Sequence, residues 1–125
     1  MDLIRELMLK LEGLPMEYGD NIHLLPEGSS IQVDGYDSNQ VAYHLDLIKQ
    51  AGFIEPSRAG AGVGIMFSGL SWAGHDFIDS VRSPEVWTKT KAAAAAVGGF
   101  TVAVLVESAK AILKQKFMDI LGGQH

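Results

Sequence analysis

The sequence contains no cysteine. This absence excludes a disulfide framework, a thiolate metal site and a cysteine nucleophile, and it fits the reducing cytosol. Long apolar runs are scarce as well, because the most apolar stretch, residues 92–106, has only fifteen residues without a charge. A membrane-spanning helix needs about 20 apolar residues. We therefore expect a cytoplasmic protein, and insertion of this stretch into a membrane is disfavoured.

Basic residues are fewer than acidic ones. Ten Lys and Arg stand against fifteen Asp and Glu, which gives a net charge of −5. Because lysine and arginine supply most of the affinity for phosphates, the composition excludes a general attraction to nucleic acid and leaves DNA binding dependent on a local patch. The charge is also uneven, since residues 1–60 carry −6 and residues 61–125 carry +1. What is present, 125 residues of which 47% are hydrophobic, suits one globular core.

The order of predicted elements is typical of a winged-helix domain. Helical spacing of apolar residues predicts helices over residues 2–12, 37–50, 71–82, from 84 onward and 101–121. Short apolar runs predict strands over residues 22–25, 31–33, 53–55 and 63–68, with the glycine-rich residues 57–62 as an exposed wing between the last two. We therefore predict an α+β fold: a winged-helix-like domain with a small antiparallel sheet over residues 1–91, then an alanine-rich connector and a C-terminal amphipathic helix over residues 92–125.

Four blocks of sequence resemble a known family. Residues 39–54, NQVAYHLDLIKQAGFI, are similar to the YHLxLLxEAGLI junction of many winged-helix regulators, and residues 70–82, LSWAGHDFIDSVR, are similar to LTxxGHxFLDxIR. Together with MDLIREL at the start and VWTKTK at residues 86–91, they resemble an uncharacterised family of phages, prophages and bacteria, number 2513 of the domains of unknown function. The resemblance implies a winged-helix-like fold and no particular activity.

The predicted helix over residues 37–50 occupies the place of a recognition helix. Its candidate base-reading side chains are Asn39, Gln40, Tyr43, His44 and Lys49. The wing adds Arg58, Gly60 and Gly62. Asparagine and glutamine can hydrogen-bond adenine edges, but the helix offers a single permanent cation for phosphates. A DNA-binding transcriptional regulator therefore stays open as an alternative and ranks below a protein-interaction module.

The C-terminal helix carries a long apolar stripe. It predicts an oligomer interface formed by Val102, Leu105, Val106, Ile112, Leu113 and Phe117. A stripe of nearly six turns packs either on its own domain or on the same helix of a second copy, and we predict a homodimer. A membrane-active effector that uses the alanine-rich segment is a third alternative.

Catalytic patterns are weak throughout. His75, Asp76 and Asp79 share one helical turn, as an acid–base or metal site would require, but a structural role for the histidine is favoured. The glycines of residues 60–64 lack the lysine of a phosphate loop, and Trp72 and Trp87 are expected in the core. We predict a non-enzymatic protein with no catalytic, cofactor-binding or metal-binding residue.

The hypothesis with the most support is a protein-interaction module. It would serve as an accessory subunit of a phage, prophage or bacterium, with defence among its potential roles, and its partners would be a second copy and an unidentified protein.

Overall fold

A computed structural model describes residues 2–17, 19–20, 22–24, 31–55, 65–99 and 101–122. Its elements, in chain order, are α1 (Asp2–Glu12), β1 (Ile22–Leu24), α2 (Ser38–Gln50), β2 (Ile65–Phe67), α3 (Trp72–Val81), α4 (Pro84–Ala96) and α5 (Val102–Gly122). They form two compact units, Met1–His75 and Asp76–His125, whose boundary falls within α3. The predicted boundary after residue 91 stays a prediction.

The core of the first unit is built by α1 and α2, which pack on each other. The helical stripe predicted in α1 is buried: Leu3, Ile4, Leu7, Met8 and Leu11. The stripe predicted in α2, Val41, Leu45 and Ile48, is buried too. Both helices therefore confirm what their apolar spacing predicts, because each must turn one face away from water.

The start of α2 is fixed by a reciprocal pair of side-chain bonds. The Asp37 carboxylate accepts from the backbone N–H of Gln40 at 2.8 Å, and the Gln40 side-chain oxygen accepts from the backbone N–H of Asp37 at 2.9 Å. This capping box satisfies two N–H groups that no helical carbonyl can reach.

The predicted α+β winged-helix class is wrong. Five helices make up most of the described residues, and strand pairing there is confined to two three-residue strands and one isolated bridge. The predicted strand at residues 31–33 is not a strand. The predicted strand at residues 22–25 is present as β1, which pairs antiparallel with β2 and places His23 opposite Met66. Ile31 and Val33 are nevertheless buried. The apolar residues of this short run indicate burial. A run this short has no periodicity that would distinguish a buried strand from a buried segment without regular structure.

The predicted pairing of residues 53–55 with residues 63–68 is also wrong. Ile54 bridges to Leu70, and the Glu55 N–H donates to the Gly69 carbonyl at 2.9 Å. The Phe53 carbonyl accepts from the Ser71 N–H at 2.9 Å. The backbone of residues 53–55 is thus hydrogen-bonded to residues 69–71, immediately before α3 begins. The predicted wing, residues 57–62 with Arg58, Gly60 and Gly62, lies outside the described residues.

Ser71 and Gly74 allow α3 to pack closely against Gly52 and Phe53, in the segment that follows α2. The Ser71 hydroxyl donates to the Gly52 carbonyl and accepts from the Gly74 N–H at 3.1 Å, so it caps α3 as predicted. A Cβ on Gly74 would lie 2.0 Å from the Phe53 carbonyl oxygen. Only a residue without a side chain fits this position.

The second unit is organised by α4 and α5, which pack on each other. The Ser83 side chain caps α4, and Pro84 occupies its first turn, at the predicted start of this helix. Trp87 is buried, with its ring edge-to-face against Phe77 at 6.5 Å between centroids, which confirms its predicted place in the core. Residues 92–96, predicted to be a connector, are the last five residues of α4.

Candidate interaction surfaces

The outer face of α2 carries the predicted recognition residues. Asn39, Gln40 and Lys49 are exposed, His44 is half-buried, and the Tyr43 side chain is 62% exposed. The structure thus places all five on one helix and turns four of them toward solvent.

Two of these side chains are already engaged in local hydrogen bonds. The Gln40 amide oxygen belongs to the capping box described above. His44 Nδ1 lies 2.8 Å from the Gln40 carbonyl oxygen, a contact in which the ring nitrogen donates, and the His44 ring meets Tyr43 edge-to-face at 5.4 Å. A two-bond contact from Gln40 to an adenine edge would require its amide oxygen to leave the capping box, whereas the bond of His44 does not use its second ring nitrogen.

Charge on the same unit opposes DNA. Residues 1–75 hold ten acidic and four basic side chains, a net charge of −6, whereas residues 76–125 hold five acidic and six basic side chains, a net charge of +1. On α2 itself, Lys49 is accompanied by Asp46, which accepts from the Gln50 side chain at 2.6 Å. Phosphates would therefore meet repulsion on the unit that carries the recognition-like helix.

Trp72 corrects another expectation. The sequence predicts this residue in the core, but its side chain is 83% exposed. On α3 the buried positions are Gly74, Phe77, Ile78 and Val81, and at 3.6 residues per turn Trp72 lies about 160° around the helix from Gly74. Projection of α3 on a helical wheel would have identified this exposed aromatic from the sequence.

The C-terminal half of α5 presents apolar side chains to solvent. The first half is covered, with Leu105 and Ala109 buried and Val102, Val106 and Ile112 half-buried. Further along, Leu113, Phe117, Met118, Ile120 and Leu121 are between 42% and 59% exposed. We call Leu113, Phe117, Ile120 and Leu121 the α5 end patch. Ile120 is the last residue of the predicted stripe, whereas Leu121 was not predicted at the interface.

The histidine–carboxylate cluster considered at residues 75–79 does not bring three metal-ligating side chains together. His75 and Asp76 are exposed, and the Asp79 carboxylate lies 2.6 Å from the Arg82 guanidinium. Within the described ranges no three His, Asp or Glu side chains are grouped so that they could hold a metal ion.

The described helices also include none that is long and apolar enough to cross a membrane.

Comparison with known proteins assigns the chain to a family. The hypothetical-protein family DUF2513 matches residues 1–101. The chain belongs to the DUF2513 family. An uncharacterized protein of Haemophilus influenzae is 36% identical over 92 residues, which is 72% of this chain and 72% of that protein. No solved structure matches the chain.

The extent of the DUF2513 match divides the surfaces just described. The capping box, the outer face of α2 and Trp72 lie within the matched residues 1–101. The match ends one residue before α5 begins at Val102, so the α5 end patch lies outside it. The family match therefore gives no information about α5.

Proposed function

We propose that this DUF2513 protein is a non-enzymatic protein-interaction module that forms a homodimer through the α5 end patch. We also propose that it is a cytoplasmic accessory subunit of a bacterium, phage or prophage; a relative in Haemophilus influenzae supports the bacterial source alone. The observation that carries the proposal is the exposure of Leu113, Phe117, Ile120 and Leu121 along one end of a helix.

A difference in length leaves this end of α5 uncovered. The 13 residues of α4 span about 20 Å, and the 21 residues of α5 span about 32 Å at 1.5 Å per residue. The five residues between them, 97–101, are too few for anything but an antiparallel neighbour. The first 13 residues of α5 are therefore level with α4, and about 12 Å of α5, the last eight residues, extends beyond it. Phe117, Ile120 and Leu121 lie on this extension, and Leu113 lies one turn before Phe117 at the end of the paired part.

A second copy is the partner that this geometry favours. Four neighbouring apolar side chains, each between 42% and 59% exposed, form a contiguous apolar patch, and many patches of this kind on soluble proteins are interaction sites. In a two-fold pair the same patch lies on both sides, so one association hides both patches from water. Of the residues predicted for the interface, Leu113 and Phe117 stay in the proposal, and Leu105, which is fully buried within the chain, belongs to the core.

The oligomeric state tests this proposal. Size-exclusion chromatography with light scattering on the full chain should give twice the chain mass of 13.5 kDa. The double variant Phe117→Gln/Ile120→Gln should give the monomer mass, because glutamine keeps the helix and removes the apolar contact. The matched control Glu107→Gln/Lys114→Gln changes two exposed charged residues of the same helix, and it should remain a dimer.

The proposal fails if the wild-type chain is monomeric at about 100 µM, where even a weak specific dimer associates. It also fails if Phe117→Gln/Ile120→Gln dimerises as strongly as the wild type. Helicity by circular dichroism accompanies each measurement. Because both substituted side chains are exposed, the double variant should retain the helix content of the wild type.

A further inference from the structure

A groove of about 390 Å³ lies at the start of α2 in the first unit. Its walls differ in chemistry. A small apolar part is formed by Ile31, Val33 and Val41, whose side chains are at most 8% exposed. The polar part includes the exposed residues Asp34, Tyr36 and Asp37. No sequence pattern had indicated a site here, because the lining combines a segment without regular structure with the first turn of a helix.

We propose that this groove binds an arginine side chain of a partner protein. The guanidinium group would face the two carboxylates and stack on the Tyr36 ring, and the methylene stem would lie on the apolar wall. Arginine joins a planar cation, which pairs with carboxylates and stacks on aromatic rings, to an apolar stem. The surface differs from the α5 end patch, which belongs to the second unit.

Electrostatics select a cation for this groove. None of its lining residues is basic, and the unit around it carries a net charge of −6. The start of α2 contributes only about half a positive charge, and the Asp37 carboxylate already accepts from the helix N–H of Gln40. Two full negative charges outweigh that half charge, so the groove repels phosphates and carboxylates.

Size and donor set favour a side chain over a bare metal ion. A volume of about 390 Å³ falls in the range of sites for small organic groups. A metal site would need several converging carboxylate or imidazole ligands, and the described residues hold no group of three that could do so. A lysine ammonium would satisfy the charge but is a point cation without the planar face that Tyr36 can stack against.

Titration of the full ¹⁵N-labelled chain with blocked tripeptides tests the assignment. The probe is acetyl-Gly-Arg-Gly-amide, and its uncharged counterpart contains citrulline, which has nearly the same shape as arginine. We expect the arginine peptide to shift the amide signals of Gln32 to Ser38 and the citrulline peptide to leave them in place. Asp34→Asn should weaken binding about threefold, as expected for one exposed charge pair, and Tyr36→Leu should weaken it by a similar factor.

The control is Glu55→Gln, which removes the same charge from an exposed position of the same unit that does not line the groove. It should leave the affinity unchanged within error. Equal weakening by Glu55→Gln and Asp34→Asn would overturn the site, since binding would then follow net charge alone. Absence of shifts at Gln32 to Ser38, or equal binding of the citrulline peptide, would overturn it as well. If the groove does not bind the arginine peptide, the dimer proposal is unaffected, because it is tested by the mass in solution and rests on α5 of the second unit.

Discussion

Replacement of Gly74 by alanine tests the packing of α3 against the end of α2. The added methyl carbon would lie 2.0 Å from the Phe53 carbonyl oxygen and 2.9 Å from its carbonyl carbon. Non-bonded contacts between heavy atoms lie near 3.5 Å, so α3 must move by about 1.5 Å. Phe53 is itself buried, and its carbonyl accepts from the Ser71 N–H at 2.9 Å. The backbone therefore has little room to yield.

The cost combines three contributions. Overpacking of a buried site costs about 1–3 kcal/mol. A movement of that size also breaks the Ser71–Phe53 and Ser71–Gly52 hydrogen bonds, worth about 1 kcal/mol each. Alanine returns about 1 kcal/mol of helix propensity relative to glycine. We expect a net loss of about 2–4 kcal/mol in the free energy of unfolding and a melting temperature lower by about 10 °C.

Urea unfolding followed by circular dichroism measures this loss. Gly99→Ala is the matched control, because its Cβ would meet no atom within 4 Å and its φ is not left-handed. The control should change the free energy of unfolding by less than about 0.5 kcal/mol. If Gly74→Ala unfolds at the same urea concentration as the wild type, the close approach of α3 to Phe53 is not a feature of the folded protein in solution.

Three further outcomes follow from the structure. Ser71→Ala should lower the free energy of unfolding by about 1–2 kcal/mol, because it removes the cap of α3 and the bond to Gly52, whereas Ser38→Ala at an exposed position should be nearly neutral. Thr90→Val should change the free energy of unfolding by less than about 1 kcal/mol in thermal unfolding, because the buried hydroxyl donates to the Val86 carbonyl within its own helix. A loss above about 2 kcal/mol would show that the hydroxyl has another essential role. In anisotropy titrations at physiological salt the chain should not bind random duplex DNA, and steeply salt-dependent micromolar binding would contradict the argument from the −6 charge of the first unit.

The helices of this protein are determined mostly by local sequence. The apolar spacing in α1 and α2, the capping pair at Asp37 and Gln40, and Pro84 after Ser83 each fix a helix or its start through groups a few residues apart. Interactions of that range depend on residues close together in the sequence, so both ends of α1 and α2 and the start of α4 could be predicted closely. The end of α4 could not, because its last five residues are alanines without an apolar stripe, and they were predicted to be a connector. The family resemblance was visible for the same reason, since its four blocks are contiguous segments.

Strand pairing and exposure depended on the tertiary structure. The strand at residues 65–67 pairs with β1, more than 40 positions earlier, and nothing local distinguishes that partner from residues 53–55. The groove at Asp34 and Tyr36 exists because Ile31 and Val33 are buried without forming a strand. The α5 end patch follows from two lengths: the apolar stripe continues for the whole of α5, but α4 is eight residues shorter, so only the assembled pair decides where the stripe stops being core and becomes surface.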